Sequence, residues 1–376
     1  MANPLTIGVD IRELRVAKTG VKTYLEEICR EFKLKSDQQV KFIFLDSWLP
    51  AGQHRHKAGK LIEHFNYHFW KQVTLPLKAF FNHCDVVLCV DNFAPLLKLG
   101  YKTLPVFHDA FFFETPQDYG KIWLWLYKQT AIPAAKSSPF VITPSEHARK
   151  KINYYTGIPL DKLVVVHEAP KSFTGKLSLP ESVLERFNLQ PALYILHVGA
   201  YYTRKNLVTL VNAFASTKSA LPEGMKLVLA GGTPAADKGG NYTHIQEAIK
   251  SSGLENDVIL TGYLPDDEIQ QLYQNALLYV FPSLNEGFGL PVLEAFKNSL
   301  PVIVADNSSL PEIGGDAVLC FSPDDELALA EKIKLVVEDN ALRQEMIEKG
   351  QLHLEDFSWS KTADQIIDVC RKAAGR

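Results

Sequence analysis

Short apolar runs alternate with amphipathic stretches along the whole chain. That is the pattern of strands buried on both faces of a parallel sheet, with helices packed over them. In the first half the runs are Thr6–Ile11, Val40–Leu45, Val86–Val90, Thr103–Phe107, Phe140–Thr143 and Leu163–Val166. A turn at Gly20 leads into a helix with Tyr24, Leu25, Ile28 and Phe32 on one side. A second alternation predicts strands at Tyr194–Val198, Lys226–Ala230, Val258–Thr261, Leu277–Phe281 and Val302–Val304. Helices are predicted between them, at Leu207–Ser216, Ile245–Ser251, Asp266–Asn275 and Pro291–Asn298. Lys171 to Pro191, broken by Gly175 and Pro180, reads as the linker. The expectation is an α/β protein of two doubly wound, Rossmann-like domains, 1–175 and 176–357, facing across a cleft. Phe357-Ser-Trp-Ser-Lys then caps a last amphipathic helix over 358–376. Ligands of such sheets collect at the carboxyl ends of the strands.

Composition changes this picture little. The length of 376 residues suits two domains, and 46% hydrophobic with 22% charged residues is the balance of a globular protein. No apolar stretch is long enough to span a bilayer, and the N-terminus runs into a strand without a signal-peptide pattern. The five cysteines (29, 84, 89, 320 and 370) have no metal-ligand spacing, which points to reduced thiols in a cytoplasmic protein. Cys84 and Cys89, five apart on one strand, are expected on opposite faces. Charge is uneven: 23 basic against 16 acidic residues in 1–175, and 17 against 27 in 176–376. A basic first half favours an anionic acceptor or membrane surface, unless both halves are simply solvated. Nucleic-acid binding has no supporting module.

The chemistry concentrates after the Leu277–Phe281 run, in Phe281-Pro-Ser-Leu-Asn-Glu-Gly-Phe-Gly-Leu-Pro-Val-Leu-Glu294. A strand enters a glycine-rich turn, and Pro291 opens a helix. Glu286 falls in the turn, and Glu294 about one helical turn further on. Gly287, Phe288, Gly289 and Leu290 carry the backbone at the helix N-terminus, where amides and dipole favour an anion. This combination suits a phosphorylated, polyhydroxylated ligand such as a nucleotide sugar. His197-Val-Gly-Ala-Tyr-Tyr-Thr-Arg-Lys-Asn is a second strand, turn and helix start, with Gly199 in the turn and the cations Arg204 and Lys205 after it. Arg204 offers a bidentate fork and Lys205 a point charge, both suited to a diphosphate leaving group. Two cations can replace a divalent ion, and no metal or other cofactor is expected. His64 and His68 have helical spacing but not the zinc-protease pattern. Gly231-Gly232 follows another strand; it reads as close backbone approach to a ligand or, equally, as an ordinary turn.

The Glu286-to-Glu294 stretch resembles the E-x7-E motif of retaining glycosyltransferases of family 4, which have the GT-B fold. The resemblance covers nearly the whole chain and is most specific over 194–296. Ala200 stands where the commonest pattern has arginine, so the chain resembles the Arg-Lys-Asn variant. The family implies that Gly262-Tyr263-Leu264 lies against the base, Tyr263 and Leu264 included. Gly20 ends a loop after the first strand, where a small residue is expected to let backbone amides reach the donor phosphate. His108-Asp109, after the Leu104–Phe107 run, matches a His-Asp near the transferred sugar and acceptor hydroxyl. The resemblance implies transfer from a nucleotide sugar to a saccharide or lipid-linked saccharide, in polysaccharide or glycoconjugate synthesis, with the last helix returning to the first domain. It leaves open an epimerase or hydrolase of the same shape, or an inactive partner subunit. Aromatic residues at 111–113, 123, 125 and 127, with Lys121, Lys128 and Lys136, read either as domain core or as a surface for peripheral association at the inner face of a membrane. Gly52–Lys60 reads as a mobile basic loop.

Overall fold

The computed structural model describes residues 3–17, 20–49, 57–172, 182–232 and 241–376. They form two compact units, Met1–Ala169 with Ser358–Arg376, and Pro170–Phe357. The expected boundary at 175/176 lies outside the described residues. Within the expected linker, Val183–Arg186 is a short helix capped by Ser182.

The first unit is built on β1 (Leu5–Asp10), β2 (Val40–Leu45), β3 (Val86–Cys89) and β4 (Lys102–Pro105), in the order β2-β1-β3-β4 and parallel throughout. β5 (Val141–Thr143) and β6 (Leu163–Val165) pair with each other, and a parallel bridge from Val106 to Ile142 brings them alongside β4. The strands are nearly continuous apolar runs because both sheet faces are covered. The helix Gly20–Lys35 buries Tyr24, Leu25, Ile28 and Phe32, the face its periodicity indicated. The terminal helix Trp359–Ala374, capped by Ser358, packs on it, with the Tyr24 and Trp359 rings edge to face at 5.6 Å.

Two expectations in this unit need correction. Cys84 precedes β3 rather than lying on it, so the alternation of strand faces does not apply, and both Cys84 and Cys89 enter one apolar cluster with Trp70 and Leu75. Burial pushes both thiols up, Cys84 to about 11. Lys57–Lys60, read as loop, begins the helix Lys57–Phe69; Gly52 to His56 lie outside the described residues. Of the two readings of the aromatic cluster, domain core holds for most of it: Tyr127 is buried with Phe93 and Phe107, and Phe112, Phe113 and Trp123 pack on them. Trp125, 61% exposed, is the member left outside, near Ile122 at 71%. Among the described residues no helix is long and apolar enough to cross a membrane.

One buried polar group organises this unit. Trp70–Thr74 is a π-helical turn, wide enough to turn both Trp70 and Lys71 inward. The Lys71 ammonium is 2.6 Å from Asp10 Oδ2, at the end of β1, and bonds Asp91, just beyond β3. Trp70 Nε1 donates to Asp10 Oδ1 at 3.0 Å, and Tyr67 Oη to Asp91 Oδ2 at 2.7 Å. Burial raises the Asp10 carboxyl and Lys71 opposes it; for Lys71, burial lowers the ammonium, but the two aspartates outweigh it and the net direction is up.

The second unit holds β7 (Tyr194–Val198), β8 (Lys226–Ala230), β9 (Val258–Gly262), β10 (Leu278–Phe281), β11 (Val302–Ala305) and β12 (Val318–Phe321), all parallel, in the order β12-β11-β10-β7-β8-β9. The edge strand β12 is absent from the sequence reading, as are the helices Glu326–Glu338 and Asn340–Leu354. Asp325 and Asp339 cap those two helices, accepting from Ala328 N and Leu342 N.

Replacing Lys71 with methionine leaves Asp10 and Asp91 buried without their cation. The expected cost is about 3–5 kcal/mol of unfolding free energy, read by urea denaturation of Lys71→Met beside wild type. A loss below about 1 kcal/mol would show that water or protonation replaces the ammonium cheaply.

Candidate active site

In the second unit, the chain leaves β7 through Gly199 and forms a single 3-10 turn, Thr203–Lys205, before the helix Leu207–Thr217. Asn206 joins turn to helix in the left-handed region, at φ 55°. This sharp corner turns Lys205 inward. Its ammonium is 2.6 Å from Glu286 Oε1, with 11% and 12% of the two side chains exposed. The ammonium also lies 4.6 Å from the centre of the Phe281 ring. Burial lowers the Lys205 pKa; Glu286 opposes that, Arg204 adds to it, and the net direction is down. The Arg204 guanidinium stacks 4.3 Å over Tyr202, and the Arg204 carbonyl accepts from Leu284 N at 2.7 Å, tying the two loops together.

Glu286 is held by its backbone as well. Ser309, fully buried, donates its hydroxyl toward the carbonyls of Glu286 (3.1 Å) and Phe288 (2.6 Å). Gly289 stands at φ 118°, where a side chain would be strained, and its missing Cβ would lie 3.1 Å from Leu310. The helix Leu290–Lys297 follows, with proline in its first turn. Gly287 and Leu290 are partly exposed at this corner, while Phe288 is buried. Glu294 sits on the helix, and Tyr273 Oη donates to its Oε2 at 3.2 Å. Burial raises the Glu294 carboxyl, against the Tyr273 hydrogen bond and the charge of Lys171.

Three glycines bring the ends of β7, β8 and β9 together. Gly199 N donates to Ala230 O at 2.9 Å, and Gly231 bridges to Gly262. A Cβ on Gly231 would fall 1.9 Å from the Gly199 carbonyl oxygen, so only glycine fits there. Tyr263, 78% exposed, stands beside Gly232, and Leu264 is buried. Behind Lys205 lies His197, fully buried between the rings of Tyr279 and Phe281. Its Nδ1 donates to Val280 O at 3.0 Å. Burial first, and the neighbouring Lys205 second, push its pKa down to about 3, so it is neutral.

In the first unit, His108 and Asp109 follow β4. His108 N donates to Asn92 Oδ1 at 2.8 Å; its ring nitrogens lie 3.0 Å from Glu168 Oε1 and 2.8 Å from Val90 O. Asp109 Oδ1 accepts from Phe111 N at 3.0 Å and starts the short helix Phe111–Glu114. Gly20 is the first residue of its helix and is exposed. His64 and His68 share a helix, and both rings pack on Trp123. Among the described residues no cluster of three or more His, Cys, Asp or Glu side chains is placed to hold a metal ion.

The structure therefore joins Gly199, Arg204, Lys205, Glu286 and the 287–290 backbone at one corner, with Gly231, Tyr263 and Leu264 at the neighbouring strand ends. Ser309, Tyr273, His197 and Glu168 escaped the sequence reading. Only His197 had a signal there, as a polar residue within an apolar strand.

Residues 185–353 match the family model described as glycosyl transferases group 1. The O-antigen chain mannosyltransferase B of Escherichia coli is 28% identical over 270 residues, which is 71% of this chain and 70% of that protein. The serotype-specific mannosyltransferase WbdA of Escherichia coli is 29% identical over 229 residues, 60% of this chain but only 28% of its own length. Among solved structures, sucrose-phosphate synthase from Thermosynechococcus elongatus superposes with a TM-score of 0.71 at 17% identity, over 98% of each chain. Anabaena Alr3699/HepE in complex with UDP and glucose gives 0.69 at 16%, over 98% of this chain and 100% of that one. The protein is a glycosyltransferase with the GT-B fold, two Rossmann-like domains of parallel α/β architecture.

The neutral, buried His197 makes folding acid-sensitive. Its folded pKa is depressed below the ordinary 6.5, so the unfolded chain binds the extra proton and stability falls as pH drops from 6.5 toward 3. The slope from this residue is up to about 1.4 kcal/mol per pH unit. Denaturation between pH 7 and 4 should show a shallower loss in His197→Phe than in wild type. Parallel curves would mean that His197 takes up its proton in the fold.

Proposed function

We propose that the protein is a retaining glycosyltransferase of family 4 that moves a hexose, mannose first among the candidates, from a nucleoside diphosphate sugar to a glycan or lipid-linked saccharide during cell-surface polysaccharide synthesis. The observation that carries this reading is the Lys205–Glu286 pair, where the β7 and β10 loops meet, with Arg204 next to Lys205 in the chain and Glu294 on the helix that follows Glu286. A buried ammonium and a guanidinium suit two phosphates, and a carboxylate one helical turn further on suits a ribose diol. The names of the Escherichia coli relatives support mannose and O-antigen chemistry. The HepE complex supports a nucleotide as ligand.

In this reading Arg204 and Lys205 take the diphosphate and stabilise the charge that grows on it as the glycosidic bond breaks. Glu286 bonds hydroxyls of the transferred sugar and not the nucleotide. Gly199, Gly231 and the Gly287–Leu290 backbone give amides close approach, Tyr263 and Leu264 lie against the base, and Glu294 binds the ribose. His108, Asp109 and Gly20 serve the sugar and acceptor side. Retention follows from transfer on one face of the sugar, with the leaving phosphate accepting the acceptor proton. No divalent ion is required, because the two cations supply the charge. The protein works in the cytoplasm, and the exposed Ile122 and Trp125 with Lys121 and Lys128 are where a membrane surface would be met.

The direct test is transfer from a panel of GDP-, UDP- and dTDP-sugars, with the anomeric configuration of the product read by NMR and each assay repeated in EDTA. An inverted product, free sugar alone, or activity abolished by EDTA and restored by magnesium would each overturn part of this reading.

The two glutamates should separate. Glu294→Gln weakens the bare nucleoside diphosphate by about 1–3 kcal/mol, the scale of a charged hydrogen bond. Glu286→Ala lowers transfer by about a hundredfold or more and leaves the diphosphate within a few-fold of wild type. Calorimetric titration beside transfer kinetics on the same preparations distinguishes them, and equal losses in both assays for Glu286→Ala would remove its sugar-binding role.

A further inference from the structure

His108 stands at the carboxyl edge of the first sheet with both ring nitrogens opposite oxygen. Nε2 lies 2.8 Å from the Val90 carbonyl, and Nδ1 lies 3.0 Å from Glu168 Oε1. A carbonyl has no proton to give, so Nε2 carries the hydrogen. A neutral ring would then point the Nδ1 lone pair at a carboxylate oxygen. Protonating Nδ1 turns that repulsion into a charge-assisted hydrogen bond. The ring has little freedom to turn away, because the Tyr24 ring meets it edge-on at 5.0 Å and its backbone is tied to Asn92.

Glu168 is itself well placed. It is 5% exposed, and its neighbour His167 offers its carbonyl to Thr362 Oγ1 at 2.8 Å, so the terminal helix fixes the segment that carries the carboxylate. The charged and titratable groups facing His108 are Glu168 from the segment after β6, Asp109 beside it in the chain, and the Tyr24 phenol from the helix Gly20–Lys35. Burial raises Tyr24 and keeps it neutral.

We propose that Glu168 is a positioning residue that holds His108 as a doubly protonated imidazolium, so that His108 presents a fixed positive charge and does not take the proton of the acceptor hydroxyl. The inference rests on the glycosyl-transfer reading for its catalytic meaning, but the protonation state stands on the geometry of one unit. The electrostatics agree. Burial alone lowers the His108 pKa, while the Glu168 hydrogen bond and charge, then Val90 and Asp109, outweigh it and leave a net rise. A raised folded pKa means that the imidazolium is present at low pH and is lost as pH rises through that value, above the ordinary 6.5.

Histidine-selective 15N NMR tests this on the full chain, with His108 assigned by the resonance missing from His108→Asn. Expected in wild type at pH 7 are two protonated ring nitrogens, with deprotonation above pH 6.5. In Glu168→Gln one nitrogen should be deprotonated at pH 7. The alkaline limb of the kcat profile should shift to lower pH, with near wild-type kcat below it and the donor KM within about twofold. An unprotonated nitrogen in wild type at pH 7 overturns the proposal, as does an equal loss of kcat at every pH in Glu168→Gln, which is what a purely structural role would give. The wild-type spectrum decides even if the variant fails to fold. It also stands apart from the functional reading, because absence of glycosyl transfer would leave it unchanged.

Discussion

Both sheets are doubly wound, so each has one place where the chain reverses direction across the sheet and two adjacent strands send their loops apart. That opening falls between β1 and β3 in the first unit and between β7 and β10 in the second. A lysine is bound to carboxylate at each one: Lys71 to Asp10 and Asp91, and Lys205 to Glu286. The two differ in what remains available. Lys71 is 1% exposed and carries two aspartates, so its charge is spent within the fold. Lys205 has one carboxylate partner in Glu286, and both side chains retain access to solvent. The same geometric opening thus holds a closed brace in one unit and a solvent-reaching ion pair in the other.

The second-unit site depends on backbone as much as on charge. Gly231 lets the ends of β7 and β8 approach until a methyl group would strike the Gly199 carbonyl. Ser309, from beyond β11, directs its hydroxyl to the carbonyls of Glu286 and Phe288, which ties the loop carrying the glutamate to the segment after β11. Leu284 N on the Arg204 carbonyl ties that loop to the β7 corner. Such restraint holds the short ion pair in a fixed arrangement, the condition under which charges stabilise a ligand without reorganising.

Histidine is used in opposite ways in the two units. His197 has a carbonyl on Nδ1, a cation nearby and no carboxylate, and burial keeps it neutral. His108 has a carbonyl on one nitrogen and a carboxylate on the other, and its pKa goes up. Burial acts in the same direction on both; the neighbouring charge decides the outcome.

The periodicity of apolar residues was enough to place most strands to within one or two residues and to predict the α/β class, because parallel strands buried on both faces leave a strong local signature. The Glu286–Glu294 spacing and the Arg204-Lys205 corner were legible for the same reason, being set within one strand-turn-helix segment. What stayed hidden joins residues far apart in sequence. The edge strand Val318–Phe321, only half-buried at its centre, is absent from the sequence reading, and Cys84 needed a helix end to show that it precedes its strand. Glu168 reaches His108 across 60 positions, Lys71 reaches Asp10 across 61, and Lys205 reaches Glu286 across 81. The sequence by itself determined most of the elements and the chemical groups at their ends, since those depend on neighbours in the chain. Only the tertiary structure decided which groups share a proton or a charge, because strand order sets which loop ends meet and burial sets the energy of each charge once they do.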